Sequence, residues 1–185
     1  CNFLKDLMSF ESQGAVRYWS YVRLLLADDG IAFEERIGHN AVDLVNCMLN
    51  YGYAVLYSRV CQALLSAQLN PYDSVIHVRQ TGKPTFSFDF IELFRSQAVD
   101  RVVISMLQKG EEAEVKDGKL TEQTKKILIG NLTERMYKHE QYRGESTMFE
   151  NIIRKQEIRN SVAAIFGRFE KATSAYSQCL DNIQI

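Results

Sequence analysis

Across 185 residues there are only two prolines, Pro71 and Pro84, so helix-breaking punctuation is confined to one short region. No apolar run approaches the roughly 20 residues that a membrane-spanning helix needs. Cys1, Cys47, Cys61 and Cys179 are far apart and form no CxxC pair, which removes structural zinc and any obvious disulfide framework. That usage reads as a reducing, cytoplasmic setting. Neither charge sign dominates: the formal net charge is −1, which excludes non-specific attraction of the whole surface to nucleic acid. A local basic track beside an acidic site would cancel in that sum and stays open. A GxSxG nucleophile elbow is missing, and Gly118-Lys119-Leu120-Thr121 lacks the glycine spacing of a phosphate-binding loop.

What is present is helical periodicity. The chain is 46% hydrophobic and 24% charged, the composition of a folded domain, and is long enough to bury roughly 70% of its unfolded surface as one unit. Residues 11–27 place Ala15, Tyr18, Trp19, Val22, Leu25 and Leu26 on one apolar stripe. Residues 41–68 continue the period through Val45, Met48, Leu49, Leu56, Val60 and Leu64, which predicts a central buried helix ended by Asn70-Pro71. Residues 70–83 are non-helical, with a short extended piece around His77. Pro84 opens the next helix at its first turn, and this helix runs through Phe94 to Leu107, with room for a bend. Residues 109–119 form a solvated loop or hairpin. Thr121 caps a helix to about Lys138, and Thr147 with Glu150 fits a capping box for a last helix through residues 148–171. The fold class is mainly α: a single helical domain over 1–185 with a short extended segment or loop around 72–84.

Residues 77–92, HVRQTGKPTFSFDFIE, raise a chemical question. Asp89 and Glu92 are three apart, so on a helix they share a face with Cβ atoms about 5–6 Å apart. Both could simply reach solvent, yet Phe86, Phe88, Phe90 and Phe94 surround them. His77 is a core or turn residue or a ligand; Lys83 contacts a phosphate or merely covers its turn. Oxygen ligands with one imidazole suit Mn²⁺, and Mg²⁺ where water completes its octahedron. Arg17 and Arg23, and Arg154, Lys155 and Arg159, form basic strips that serve as solvated faces or as phosphate tracks.

Residues 49–103 resemble the C-terminal lobe of the CRISPR-associated integrase (Cas-one) family. The resemblance rests on Leu49-Asn50-Tyr51-Gly52-Tyr53, Leu69-Asn70-Pro71, His77, Gly82-Lys83-Pro84, Asp89 with Glu92, Phe94-Arg95 and Val99-Asp100-Arg101. Upstream, Glu11, Ala15, Tyr18 and Trp19 match the family motif Glu-Gly-x-Ala-Ala-x-x-Tyr-Trp, with Ser12 and Gly14 departing from it. Further departures are Ser96 for the family's proline and Leu93 for an acidic residue. From the residues alone, Glu11 reads as a first-turn carboxylate favoured by the helix dipole; the resemblance makes it a metal ligand. It implies a catalytic set of Glu11, His77 and Glu92 holding Mg²⁺ or Mn²⁺, Asp89 as a further ligand or neighbour, and DNA contacts from Arg17, Arg79, Lys83 and Arg95. The implied reaction is spacer integration by 3′-hydroxyl transesterification, with associated DNA endonuclease activity, in a prokaryotic cytoplasm. Implied partners are DNA, the small Cas-two protein, a second copy through an N-terminal β-rich domain absent from this chain, and in some relatives a fused reverse transcriptase. A plain metal-dependent nuclease and a non-catalytic helical interaction module are the rival expectations.

Overall fold

In the computed structural model, residues 3–72, 82–142 and 144–153 are described, with side chains from residue 9 onward. His77, Arg79 and nearly all of the expected last helix lie outside them. Six helices and two hairpins follow one another among the described residues: α1 (Phe3–Asp28), α2 (Leu44–Ser66), α3 (Thr85–Ile91), α4 (Arg101–Gln108), β1 (Val115–Lys116), β2 (Lys119–Leu120), α5 (Glu122–Tyr137), β3 (His139–Tyr142), β4 (Glu145–Met148) and α6 (Phe149–Ile153). None of the helices is long and apolar enough to cross a membrane.

α2 is the axis, as its near-continuous apolar sequence requires. Met48, Leu49, Leu56, Val60 and Leu64 are all fully buried, and each such side chain contributes about 1.5–3 kcal/mol on removal from water. Asp43 caps its start by accepting from the Asn46 backbone N–H at 2.9 Å. The buried Asn46 side chain then donates to Glu35 O and accepts from Ile37 N–H, which ties the 31–43 connection onto the helix. α1 lays Val22 and Leu26 on the core and leaves Phe10, Val16, Tyr21 and Leu24 outside.

The expected helix from Pro84 to Leu107 is there but interrupted. Pro84 sits at the cap and not inside the first turn. Phe86, Phe90 and Phe94, spaced by four, face the core, with ring centroids 6.0 and 5.5 Å apart in sequence. Phe94 also meets Phe149 edge-on. Between α3 and α4, Ser96–Asp100 form a wide π turn in which the Arg101 N–H reaches Ser96 O, five residues back. The base of the 72–84 connection is closed by Phe86 N–H donating to Pro71 O at 2.9 Å and by the Thr85 hydroxyl donating to Tyr72 O.

The hairpin option for 109–119 is realised: Asp117 and Gly118 both have positive φ, 50° and 70°, the pairing a tight two-residue hairpin needs. Thr121 caps α5 by accepting from Thr124 N–H. Two expectations are corrected. Thr147 is not a helix cap, because it lies in β4, paired with Glu140 of β3, and α6 begins only at Phe149. Glu11 is not a first-turn residue, because α1 begins at Phe3 and carries Glu11 in its third turn, where the dipole no longer acts.

Candidate active site

α1 and the segment 92–100 face each other across a cleft of about 450 Å³. Glu11 lines one wall. Glu92, Arg95 and Asp100 line the other, with Tyr18 and Tyr53 among the residues between them. Glu92 continues in helical conformation just beyond α3 and is exposed, so its carboxylate remains on the Asp89 side of the helix while the phenylalanines turn inward. The expected aromatic enclosure is only partial: Phe88 stacks on Tyr57 with centroids 5.1 Å apart, and Leu93 is exposed.

The wall that carries Glu92 is cross-braced. Arg95 ion-pairs with Glu92, and its guanidinium carbon lies 4.1 Å from the centroid of the Tyr53 ring. Although burial works against that charge, Tyr53 and Glu92 hold Arg95 above its ordinary pKa. Asp100 is buried at the base, where one oxygen accepts from the Tyr18 hydroxyl at 2.9 Å and the other from the Tyr53 hydroxyl. Burial, reinforced by the adjacent Asp100 charge, pushes both phenols far above the ordinary tyrosine range, so they stay protonated and donate. Arg36 reaches in from the 31–43 connection, with its guanidinium carbon 5.1 Å from the Tyr53 centroid and 5.9 Å from the Trp19 centroid. Burial pulls its pKa below the ordinary arginine value.

Gly52 explains how α2 and the wide turn come this close. A Cβ there would lie 2.5 Å from Val99 Cγ1, and Val99 is fully buried. The wide turn also frees a carbonyl: Gln97 O accepts from Arg135 Nε at 2.8 Å, while Arg135 NH1 bonds Glu140 at 2.7 Å.

Of the residues singled out in the sequence, Glu11, Glu92 and Arg95 share this cleft. Asp89 is half-buried one turn before Glu92 and is not among the described residues that line it. Arg17, on α1, and Lys83, in the Gly82 turn, are exposed and do not line it either. Glu11, Glu92 and Asp100 against Arg95 leave an excess of negative charge. Yet among the described residues no three His, Cys, Asp or Glu side chains stand together as a cation site. Asp100 is withheld by its two tyrosines, so the described residues offer two carboxylates. The Tyr18–Asp100–Tyr53 brace received no role from sequence reasoning. Tyr18, Tyr53 and Asp100 stood there only as members of the motifs that carry the family resemblance.

Residues 1–134 match the family model described as CRISPR associated protein Cas1. The chain is 32% identical over 159 residues to a CRISPR-associated endonuclease Cas1 of Archaeoglobus fulgidus, covering 80% of this chain and 46% of that protein. It is 34% identical over 161 residues to one of Francisella tularensis subsp. novicida, covering 85% and 48%. It therefore spans about half the length of these relatives. Among solved structures, a Cas1 protein from Thermotoga maritima superposes with a TM-score of 0.76 over 84% of this chain and 50% of that one, at 19% identity. A casposase bound to its integration product superposes with a TM-score of 0.71 over 81% of this chain and 45% of that one, at 23% identity. The fold is thus a known one, and the chain belongs to the CRISPR-associated Cas1 family.

Proposed function

We propose that this chain carries the catalytic lobe of a DNA integrase of CRISPR adaptation. One observation carries the reading: Glu11 and Glu92, from opposite ends of the helical stretch, line a single solvent-facing cleft beside Arg95. The reaction is an exchange of phosphodiesters. A DNA 3′-oxygen bonds to phosphorus at the end of a repeat, the bond from that phosphorus to the target strand's own 3′-oxygen breaks, and a new 3′-hydroxyl is released. Bond count is conserved, so no nucleotide cofactor is required. With water as the attacking group the same cleft hydrolyses DNA, in keeping with the endonuclease names of the relatives.

The donor chemistry fits Mg²⁺ or Mn²⁺, for which Glu11 and Glu92 would provide oxygens from the cleft walls and His77 an imidazole, with Asp89 one turn before Glu92 as a neighbouring carboxylate. Such an ion would supply Lewis-acid polarisation of the phosphoryl oxygen, worth several kcal/mol in the transition state. Arg95 keeps Glu92 on the cleft wall and sets a guanidinium where a phosphate oxygen would arrive. Tyr18 and Tyr53 occupy both oxygens of Asp100, which reserves binding for the two glutamates. DNA, the small Cas-two protein and a second copy of the protein are the partners this function needs.

The test supplies DNA ends with 3′-hydroxyls, a repeat-containing duplex and Mg²⁺ or Mn²⁺ to the intact protein. Joined product is expected, and Glu11→Ala, His77→Ala or Glu92→Ala lowers joining by about 10³-fold or more with an unchanged circular dichroism spectrum. Mn²⁺ bound by the wild type and lost in Glu92→Ala, read by electron paramagnetic resonance, checks the metal apart from activity. Normal joining by His77→Ala would overturn the residue assignment.

A further inference from the structure

We infer that a DNA strand leaving the cleft runs over the wide turn onto Arg101, Lys109 and Lys138, and not along α1; this rests on the function proposed above. Two grooves open from the cleft. The first, of about 550 Å³, shares Tyr18 and Ser96 with it and passes between α1 and α4. It continues, through the shared Arg101 and Ser105, into a third concavity of about 220 Å³ between α4 and α5, lined by Lys109 and Lys138. The three cations are exposed, and none has an ion-pair partner among the described residues. Glu134 faces them, Glu111 stands alongside on the lining residue Asn131 at 2.9 Å, and Arg135 below them is already matched by Glu140.

The second groove, of about 380 Å³, shares Ala15 and Trp19 with the cleft and follows α1. It offers Arg23 and Arg36 against Glu34 and Glu35. Arg36 donates to Asn46 and Asn50 and lies against the Trp19 and Tyr53 rings, which ties up its donors while leaving its charge in place. With Arg23 and Arg36 set against the exposed Glu34 and Glu35, this groove carries no net positive charge. The α4–α5 side presents an excess of free cations at a continuous path, which is what a polyanionic backbone recognises.

The experiment measures duplex binding to the intact protein as a function of salt. Arg101→Gln/Lys109→Gln/Lys138→Gln is expected to lower the slope of log affinity against log salt by about 2–3, each lost duplex contact removing about 0.9. Arg23→Gln leaves the slope unchanged, and melting curves of both variants match the wild type because the positions are exposed. Duplexes too short to pass the wide turn show no difference between the triple variant and the wild type. A wild-type slope in the triple variant, while the wild type still joins DNA, overturns the track and leaves the function standing. A slope that falls in Arg23→Gln instead reverses the path. Failure of the wild type to bind or join DNA at all overturns the function, and the track with it.

Discussion

The two walls of the cleft hold their glutamates in opposite ways. Glu92 stands on a short segment fixed from every side: by Arg95, by the core phenylalanines, by the Gly52–Val99 contact and by the wide turn with Asp100 at its end. Glu11 stands on one long helix anchored well downstream, where Tyr18 bonds Asp100, Trp19 packs on Phe33 with centroids 5.9 Å apart, and Val22 and Leu26 enter the core. Around Glu11 itself the helix exposes Phe10 and Val16. One carboxylate is pre-positioned by packing; the other is positioned at a distance, through a hydrogen bond two turns away. Asp100 is the group common to both.

The sharpest way to break that contrast is to remove Asp100. Asp100→Ala leaves two half-buried phenols without an acceptor and is expected to cost about 2–5 kcal/mol in denaturant unfolding. It should unsettle α1 as well as the wide turn, read as faster amide exchange in both segments. Exchange that quickens only at 96–100 would show that α1 does not depend on the brace. Gly52→Ala attacks the Glu92 wall alone. Forcing a methyl against Val99 costs about 1–3 kcal/mol, and Gly52→Ala/Val99→Ala recovers part of it, a non-additivity that a double-mutant cycle measures. The smallest effect isolates the α1 side: Tyr18→Phe removes one hydrogen bond to Asp100 and costs about 1 kcal/mol.

The pH dependence of the brace follows from the same tyrosines. Their folded pKa values lie above the unfolded one, so their contribution is complete below about pH 10 and is lost as pH rises towards the folded values. Alkaline titration followed by phenolate absorbance should leave Tyr18 and Tyr53 silent until the protein unfolds. Tyr18→Phe should flatten the decline of stability above pH 10. An unchanged decline in that variant would place the alkaline sensitivity elsewhere.

Much of this was legible in the sequence where residue type and period agree. α2 follows from its apolar run, a loop or hairpin at 109–119 from its charge and glycines, and the α5 cap from Thr121. Glu92 was legible with Asp89 as a carboxylate pair among phenylalanines, but Glu11 and Arg95 only through the spacing of family motifs, because nothing local in a lone glutamate says what it will face. The β3–β4 hairpin was not readable. Its strands, HEQY and ESTM, carry one apolar residue each, Tyr142 and Met148, too few to show an alternation. The wide turn was hidden for a related reason. Ser96–Asp100 have ordinary helix-forming composition, and the extra residue is held by tertiary partners, Arg135 on Gln97 O and the tyrosines on Asp100.

That extra residue is an angular spacer. An α-helix advances about 100° per residue, so winding the same five residues Ser96–Asp100 as regular helix, with none removed, would rotate everything upstream by about that angle against α4. Helix content would hardly change, yet Glu92 would swing away from Glu11. The aim of the carboxylate is written into how one turn between two helices is wound.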